Sequence, residues 1–300
     1  MTILFKITAF FLGIIMMFSG FTAVVPYELT GEENLLLNFV AISDTHVQTN
    51  DSTQSLGLMR SLKDMTSADA VAITGDLTMN GQWLEYFFFS SAITSALGKK
   101  SNLILSAGNH DICIKEDSYD KARDRFTSVF NQLTGRDIEH VYYSTVVKDY
   151  MFITLGSDTI AGVSQTFSDE QLDWLEYTLE QAAIQYPGKP IFVFNHNPLA
   201  GTNGVQWTWP GGDAGPQSEA IKALLGQYDN VFVFSGHMHN DYLRSGISKE
   251  DDGINYIDLP TLQDDGIGYV VEVYDYKVVF RTRSFVNSRW IDLPITVKLR

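Results

Sequence analysis

The sequence predicts an α/β protein whose strands deliver metal-binding side chains to one edge. Two observations predict it: five apolar runs of strand length, rich in Val, Ile and Phe, each stop at a residue able to bind a metal, and segments of helical spacing lie between them. A third sets the scale. The 300 residues, 45% hydrophobic and 19% charged, carry enough apolar mass for one compact unit and exclude a disordered or collagen-like chain.

In chain order, Leu35 to Ile42 runs into Ser43-Asp44-Thr45-His46, Ala70 to Ile73 into Thr74-Gly75-Asp76, and Leu103 to Leu105 into Gly108-Asn109-His110-Asp111. Ile191 to Phe194 ends at Asn195-His196, and Val231 to Phe234 at Ser235-Gly236-His237-Met238-His239. Helical spacing covers roughly Ser52 to Met65, Gln82 to Leu97, Ser168 to Tyr186 and Gln217 to Tyr228, and Ser168 with Gln171 reads as a capping box. In such sheets ligands bind beyond the carboxyl ends of the strands, where loops distant in sequence converge on a rigid frame. Five of the six histidines fall in these loops, which a random scatter would not produce.

Asp44, His46, Asp76, Asn109, His196, His237 and His239 supply two carboxylates, one amide oxygen and four imidazoles, enough for two metals. Mixed oxygen and nitrogen donors without thiolate suit Mn, Fe, Zn or Co better than Ca, Mg or Cu(I). Two such ions lower the pKa of a shared water, so that hydroxide is available near neutral pH for in-line attack on phosphorus.

The ordered series Asp44-x-His46, Gly75-Asp76, Gly108-Asn109-His110-Asp111, His196 and Gly236-His237-x-His239 resembles the calcineurin-like metallophosphoesterase superfamily. The resemblance implies a four-layer αββα sandwich of two mixed sheets flanked by helices, with a dinuclear site at one edge. It implies one metal held by Asp44, His46, Asp76 and His239, another by Asp76, Asn109, His196 and His237, and Asp76 as the bridge. His110 is left without a metal and suits a general acid, and Asp111 is expected to orient or charge-stabilise it.

The loop Gly75-Asp76-Leu77-Thr78-Met79-Asn80-Gly81 lacks the continuation found in protein serine/threonine phosphatases, and Met79 stands where purple acid phosphatases place a tyrosine ligand. What remains is similar to the class III cyclic-nucleotide-phosphodiesterase-like branch, which implies a hydrolase of small phosphoesters, diesters first. Monoesterase activity and a non-catalytic metal- or phosphate-binding module are the competing readings. A net charge of −15 argues against nucleic acid and long polyanions as partners.

Other features receive lesser expectations. Lys6 followed by uncharged, mostly apolar positions from Ile7 to Val25 reads as a signal peptide or signal anchor over residues 1–25, with membrane contact through 7–25 and an extracytoplasmic domain over 30–300. A lone cysteine, Cys113, excludes a disulfide scaffold and is read as a small buried hydrophobe. His140 is expected to be a satisfied or half-exposed histidine without a role at the site, Tyr86 to Phe89 core, and Lys121, Arg123 and Arg125 a solvated helix face. The glycine-rich stretch Pro198 to Pro216, with Trp207 and Trp209, is a candidate substrate lid. Tyr269 to Tyr274 and Lys277 to Arg283 predict a β-hairpin completing the second sheet.

Overall fold

The computed structural model describes residues 27–31, 34–98, 102–112, 118–159, 165–203, 212–240, 246–249 and 253–300. The expected leader, Cys113 and the two lid tryptophans lie outside the described residues. Among the described residues no helix is long and apolar enough to cross a membrane.

The chain begins with three parallel strands separated by helices. β1 (Leu37–Ile42) leads to α1 (Ser52–Asp64), β2 (Ala70–Thr74), α2 (Trp83–Leu97) and β3 (Leu103–Ser106). The turn α3 (Asn109–Ile112) and the helix α4 (Tyr119–Thr134) follow. Asp51 caps α1 by accepting from the Thr53 amide, and Ser118 caps α4 through the Lys121 amide.

A second sheet comes next. The hairpin β4 (Tyr143–Val147) and β5 (Tyr150–Thr154) is joined through α5 (Asp169–Gln185) to β6 (Ile191–Phe194), and α6 (Ser218–Leu225) leads to β7 (Val231–Ser235). β8 (Gly246–Lys249) and β9 (Asn255–Asp258) complete it in the order β4-β5-β6-β7-β9-β8. The central four strands run parallel and both edges antiparallel.

After the short α7 (Leu262–Asp265) the chain returns to the first sheet with β10 (Ile267–Val273), β11 (Lys277–Ser284), β12 (Arg289–Trp290) and β13 (Ile295–Lys298). The hairpin of β10 and β11 therefore completes the first sheet, not the second as expected from sequence. β10 lies antiparallel to β1, with Leu37 opposite Val273, because the edge of β1 away from β2 is the open one.

Strand alternation builds the layers. Leu37, Phe39 and Ala41 face the second sheet, and Val40 and Ile42 face α1, α2 and α4. In Ile191-Phe192-Val193-Phe194 and Val231-Phe232-Val233-Phe234 every phenylalanine points between the sheets, and the branched residues face α5 and α6. Phe39 packs edge-on against Phe152 and Phe192 at 5.1 and 4.9 Å between ring centres. The result is the αββα sandwich: two mixed sheets with a phenylalanine-rich core between them and a second core beneath each helical layer.

Several local expectations are corrected. Ser168 caps α5 through the Gln171 amide, but the Gln171 side chain bridges Gly156 N and O instead of returning to Ser168, so only half the capping box forms. α6 stops at Leu225 before Gly226, short of Tyr228. Phe87 is 48% exposed although Tyr86, Phe88 and Phe89 are core. Arg125 is buried against the Gly81 carbonyl and the Trp83 ring, not solvated, while Arg123 pairs with Asp120 and Asp124. His140 is exposed and stacked on Tyr142.

Candidate metal centre

The five motif loops leave the carboxyl ends of strands in both sheets, three from β1, β2 and β3 and two from β6 and β7. They meet at one edge of the sandwich, where the carboxyl ends of strands from both sheets come together. The β1 loop is pinned along the β2 loop: the amides of Asp44, His46 and Val47 donate to the carbonyls of Gly75, Asp76 and Leu77. Asp44, His46, Asp76, His237 and His239 all adopt positive φ, between 41 and 69°, a left-handed backbone that costs about 1 kcal/mol or more per non-glycine residue. Such strain persists only where the surroundings over-determine it, and here it turns five side chains inward.

Close approach demands glycine at the seams. A Cβ on Gly108 would be driven into the Asp76 carboxylate and amide, and one on Gly236 into Ser43 and the Asp44 carboxylate.

Two groups of ligand atoms result. Asp44, His46, Asp76 and His239 each place one within 4.8 Å of all the others, and so do Asp76, His196 and His237. Asp76 belongs to both. The spacings are 3.2 Å from His239 Nε2 to Asp44 Oδ1, 3.6 Å from His46 Nε2 to Asp44 Oδ1 and to Asp76 Oδ2, and 3.1 Å from His196 Nε2 to Asp76 Oδ2. Ligands bound at about 2.1 Å to one first-row ion stand roughly 3.0–3.4 Å apart, so the 3.1 and 3.2 Å separations match the edges of a coordination shell and the 3.6 Å ones lie slightly outside it. The oxygens Asp44 Oδ1, Asp76 Oδ2 and Asn109 Oδ1 and the nitrogen His196 Nε2 are buried without a hydrogen-bond partner among the described residues. Buried polar atoms left this way call for an ion. The donor set, nitrogen and oxygen without sulfur, fits two transition ions.

The outer contacts fix which lone pairs face inward. His196 Nδ1 lies 2.8 Å from the Thr74 carbonyl, so Nδ1 carries hydrogen and Nε2, turned toward Asp76 Oδ2, is the atom that can serve as a ligand once deprotonated. The Asp44 carboxylate also accepts from the His237 amide at 3.2 Å. Burial raises the Asp76 carboxyl, but the charges of His196 and His46 outweigh it and hold it at about 2. Burial lowers His196, and Asp76 and Asp44 overcome this to raise it to about 9. Burial and the neighbouring His196 push His237 down to about 4, so it is neutral at pH 7. Without a cation the carboxylates thus keep a proton on His196 in its place.

His110 stands at the mouth with 25% of its side chain exposed. Its Nδ1 lies 2.8 Å from the Met79 carbonyl, and its Nε2 is 4.0 Å from Asp76 Oδ2. Burial lowers its pKa, against the Asp76 charge and the Met79 carbonyl. Among the described residues Asp111 makes no hydrogen bond to the His110 ring, so the expected orientation does not come from a direct contact. The Asp111 carboxylate instead gathers the amides of Leu77, Thr78 and Gly108, the Thr78 hydroxyl and Tyr86 Oη, tying the Asp76 loop to the Asn109 turn. Five donors claim the Asp111 carboxylate and turn it away from the neighbouring imidazole.

Sequence reading missed Asp258, at the end of β9. It is 3% exposed, and burial pushes its carboxyl up to about 7 despite a hydrogen bond from Asn240, with the Asp44 charge adding to the rise. Its only trace in the sequence is a strand ending in an acid, which no motif marks.

A double sandwich whose facing strand ends carry two linked nests of carboxylates and imidazoles defines a metal-dependent hydrolase. The chain belongs to the calcineurin-like phosphoesterase family, whose profile matches residues 37–241. It is 26% identical over 213 residues, 67% of this chain and 71% of the other, to a protein of Arcobacter nitrofigilis described as "Probable glycerophosphodiester phosphodiesterase GpdQ". The fold is shared with a dimetal phosphatase of Danio rerio, at a TM-score of 0.67 and 14% identity, over 89% of this chain and 100% of that one. It is shared also with GAP50, the anchor in the inner membrane complex of Plasmodium, at a TM-score of 0.56 and 14% identity, over 88% of each chain.

Proposed function

We propose that the protein hydrolyses small phosphodiesters at a dinuclear metal centre. One observation carries the reading: two groups of ligand atoms, each drawn together within 4.8 Å, share Asp76. Asp44, His46, Asp76 and His239 would hold one ion, and Asp76, Asn109, His196 and His237 the other. When bound, such a pair supplies Lewis acidity toward the phosphoryl oxygens and lowers the pKa of water.

The chain's own residues do the rest. The Met79 carbonyl takes the Nδ1 hydrogen and fixes the His110 ring, so that Nε2 is left for the mouth, where in the protonated imidazolium form it would hand a proton to the leaving-group oxygen. Asp111 acts on structure, holding the Asp76 and Asn109 loops in register. The similarity to a glycerophosphodiester phosphodiesterase supports diesters, and the −15 charge supports small substrates over long polyanions. The apolar run 7–25 supports an extracytoplasmic site of action, which fractionation of cells expressing the full chain tests directly.

The competing reading is a binding module, since the same fold serves as an anchor in GAP50. The decisive assay incubates the purified chain with Mn, Fe, Zn or no metal and offers an aryl diester and an aryl monoester. Metal-dependent turnover favouring the diester is the expected result. Preference for the monoester reassigns the substrate class, and tight metal binding without turnover of either ester favours the binding module.

A further inference from the structure

Six of the seven candidate ligands are held by burial: Asp44, His46, Asp76, Asn109, His196 and His237 are each 5% exposed or less. His239 is not. Its side chain is 37% exposed, its backbone is left-handed at a φ of 50°, and its Nε2 must still reach Asp44 and His46. Its Nε2 contact with Asp44 at 3.2 Å holds the ring tip, but burial does not hold the backbone, and an exposed residue in a disfavoured conformation relaxes toward an ordinary one unless a second contact fixes it.

The next residue supplies the hold. Asn240 donates from Nδ2 to Asp258 Oδ2 at 2.6 Å. Asp258 is itself rigid: it closes β9, stands in register with Ser235 of β7, and is 3% exposed. Its Oδ1 has no hydrogen-bond partner among the described residues. A buried carboxylate with one hydrogen bond is unfavourable for folding alone, and this one sits beside the loop that carries two of the ligands.

We propose that Asp258, acting through Asn240, is a positioning residue that locks His239 in its ligating pose. It thereby sets the affinity of the ion held by Asp44, His46, Asp76 and His239. The inference rests on the dinuclear reading above and adds residues outside every motif. It predicts an asymmetry: losing the tether loosens one ion and spares the other, whose ligands Asn109, His196 and His237 are buried independently.

The test is calorimetric titration of the full chain with Mn²⁺, alongside thermal melting of the metal-free protein. Wild type is expected to take up two equivalents. Asn240→Ala, at a half-buried position, should weaken one equivalent roughly 10- to 100-fold and leave the other unchanged. Asp258→Ala should do the same, the double variant should lose no more than either single one, and Asp258→Asn, which keeps an acceptor for Asn240, should restore most of the affinity. Two wild-type equivalents with unaltered binding in Asn240→Ala overturn the tether alone. Equal weakening of both ions with a lowered melting temperature assigns Asp258 a merely structural role and overturns it too. A wild-type protein that binds no metal overturns the dinuclear reading and the tether together.

Discussion

His196 links metal binding to pH, and the size of the link follows from its surroundings. In the metal-free protein its imidazole, against Asp76 at 3.1 Å, is raised to about 9, whereas a ligand must offer Nε2 without a proton. At pH 7 roughly 1% of the molecules carry neutral His196, so an entering ion forfeits about 3 kcal/mol displacing that proton. Affinity for this ion should therefore rise about tenfold per pH unit from 7 to about 9 and flatten above. The same proton stabilises the metal-free fold: with the folded pKa raised above its usual 6.5, the contribution, about 3 kcal/mol, is complete below pH 6.5 and lost as pH rises through about 9. Imidazole resonances followed by NMR in metal-free protein measure the titration, and calorimetry at pH 7, 8 and 9 measures the affinity. A His196 that titrates at or below 6.5, or an affinity flat across that range, refutes the reasoning.

Other outcomes follow from packing and contacts. Gly108→Ala forces a methyl into Asp76 and should abolish tight binding of both ions, visible as loss of the metal-induced rise in melting temperature. Phe39→Ala empties the space between Phe152, Phe192, Phe194 and Phe234 and should cost about 3–5 kcal/mol in urea unfolding, with the metal stoichiometry preserved. His110→Ala should depress turnover of esters with poor leaving groups roughly 10²-fold or more, and of activated aryl esters far less. Equal losses on both would remove His110 from the proton-donor role.

Much of this molecule is legible in one dimension. Phenylalanines at alternate positions of Ile191-Phe192-Val193-Phe194 announce a strand buried on both faces, and each motif stands where such a strand ends, because alternation and termination are local properties of the chain. The seven candidate ligands could be named for the same reason. Pairing and orientation are not local. β10 and β11 lie beside β1 because β1 had an open edge, and nothing within Tyr269 to Arg283 encodes that. Asp111 follows His110 in the chain but turns to the Leu77 and Thr78 amides, and Asp258, 19 positions beyond His239, reaches the residue next to it across the β7–β9 pair. Sequence fixes which groups are available at strand ends; which of them touch is decided by how the two sheets stack, since only that stacking converts separation along the chain into distance in space.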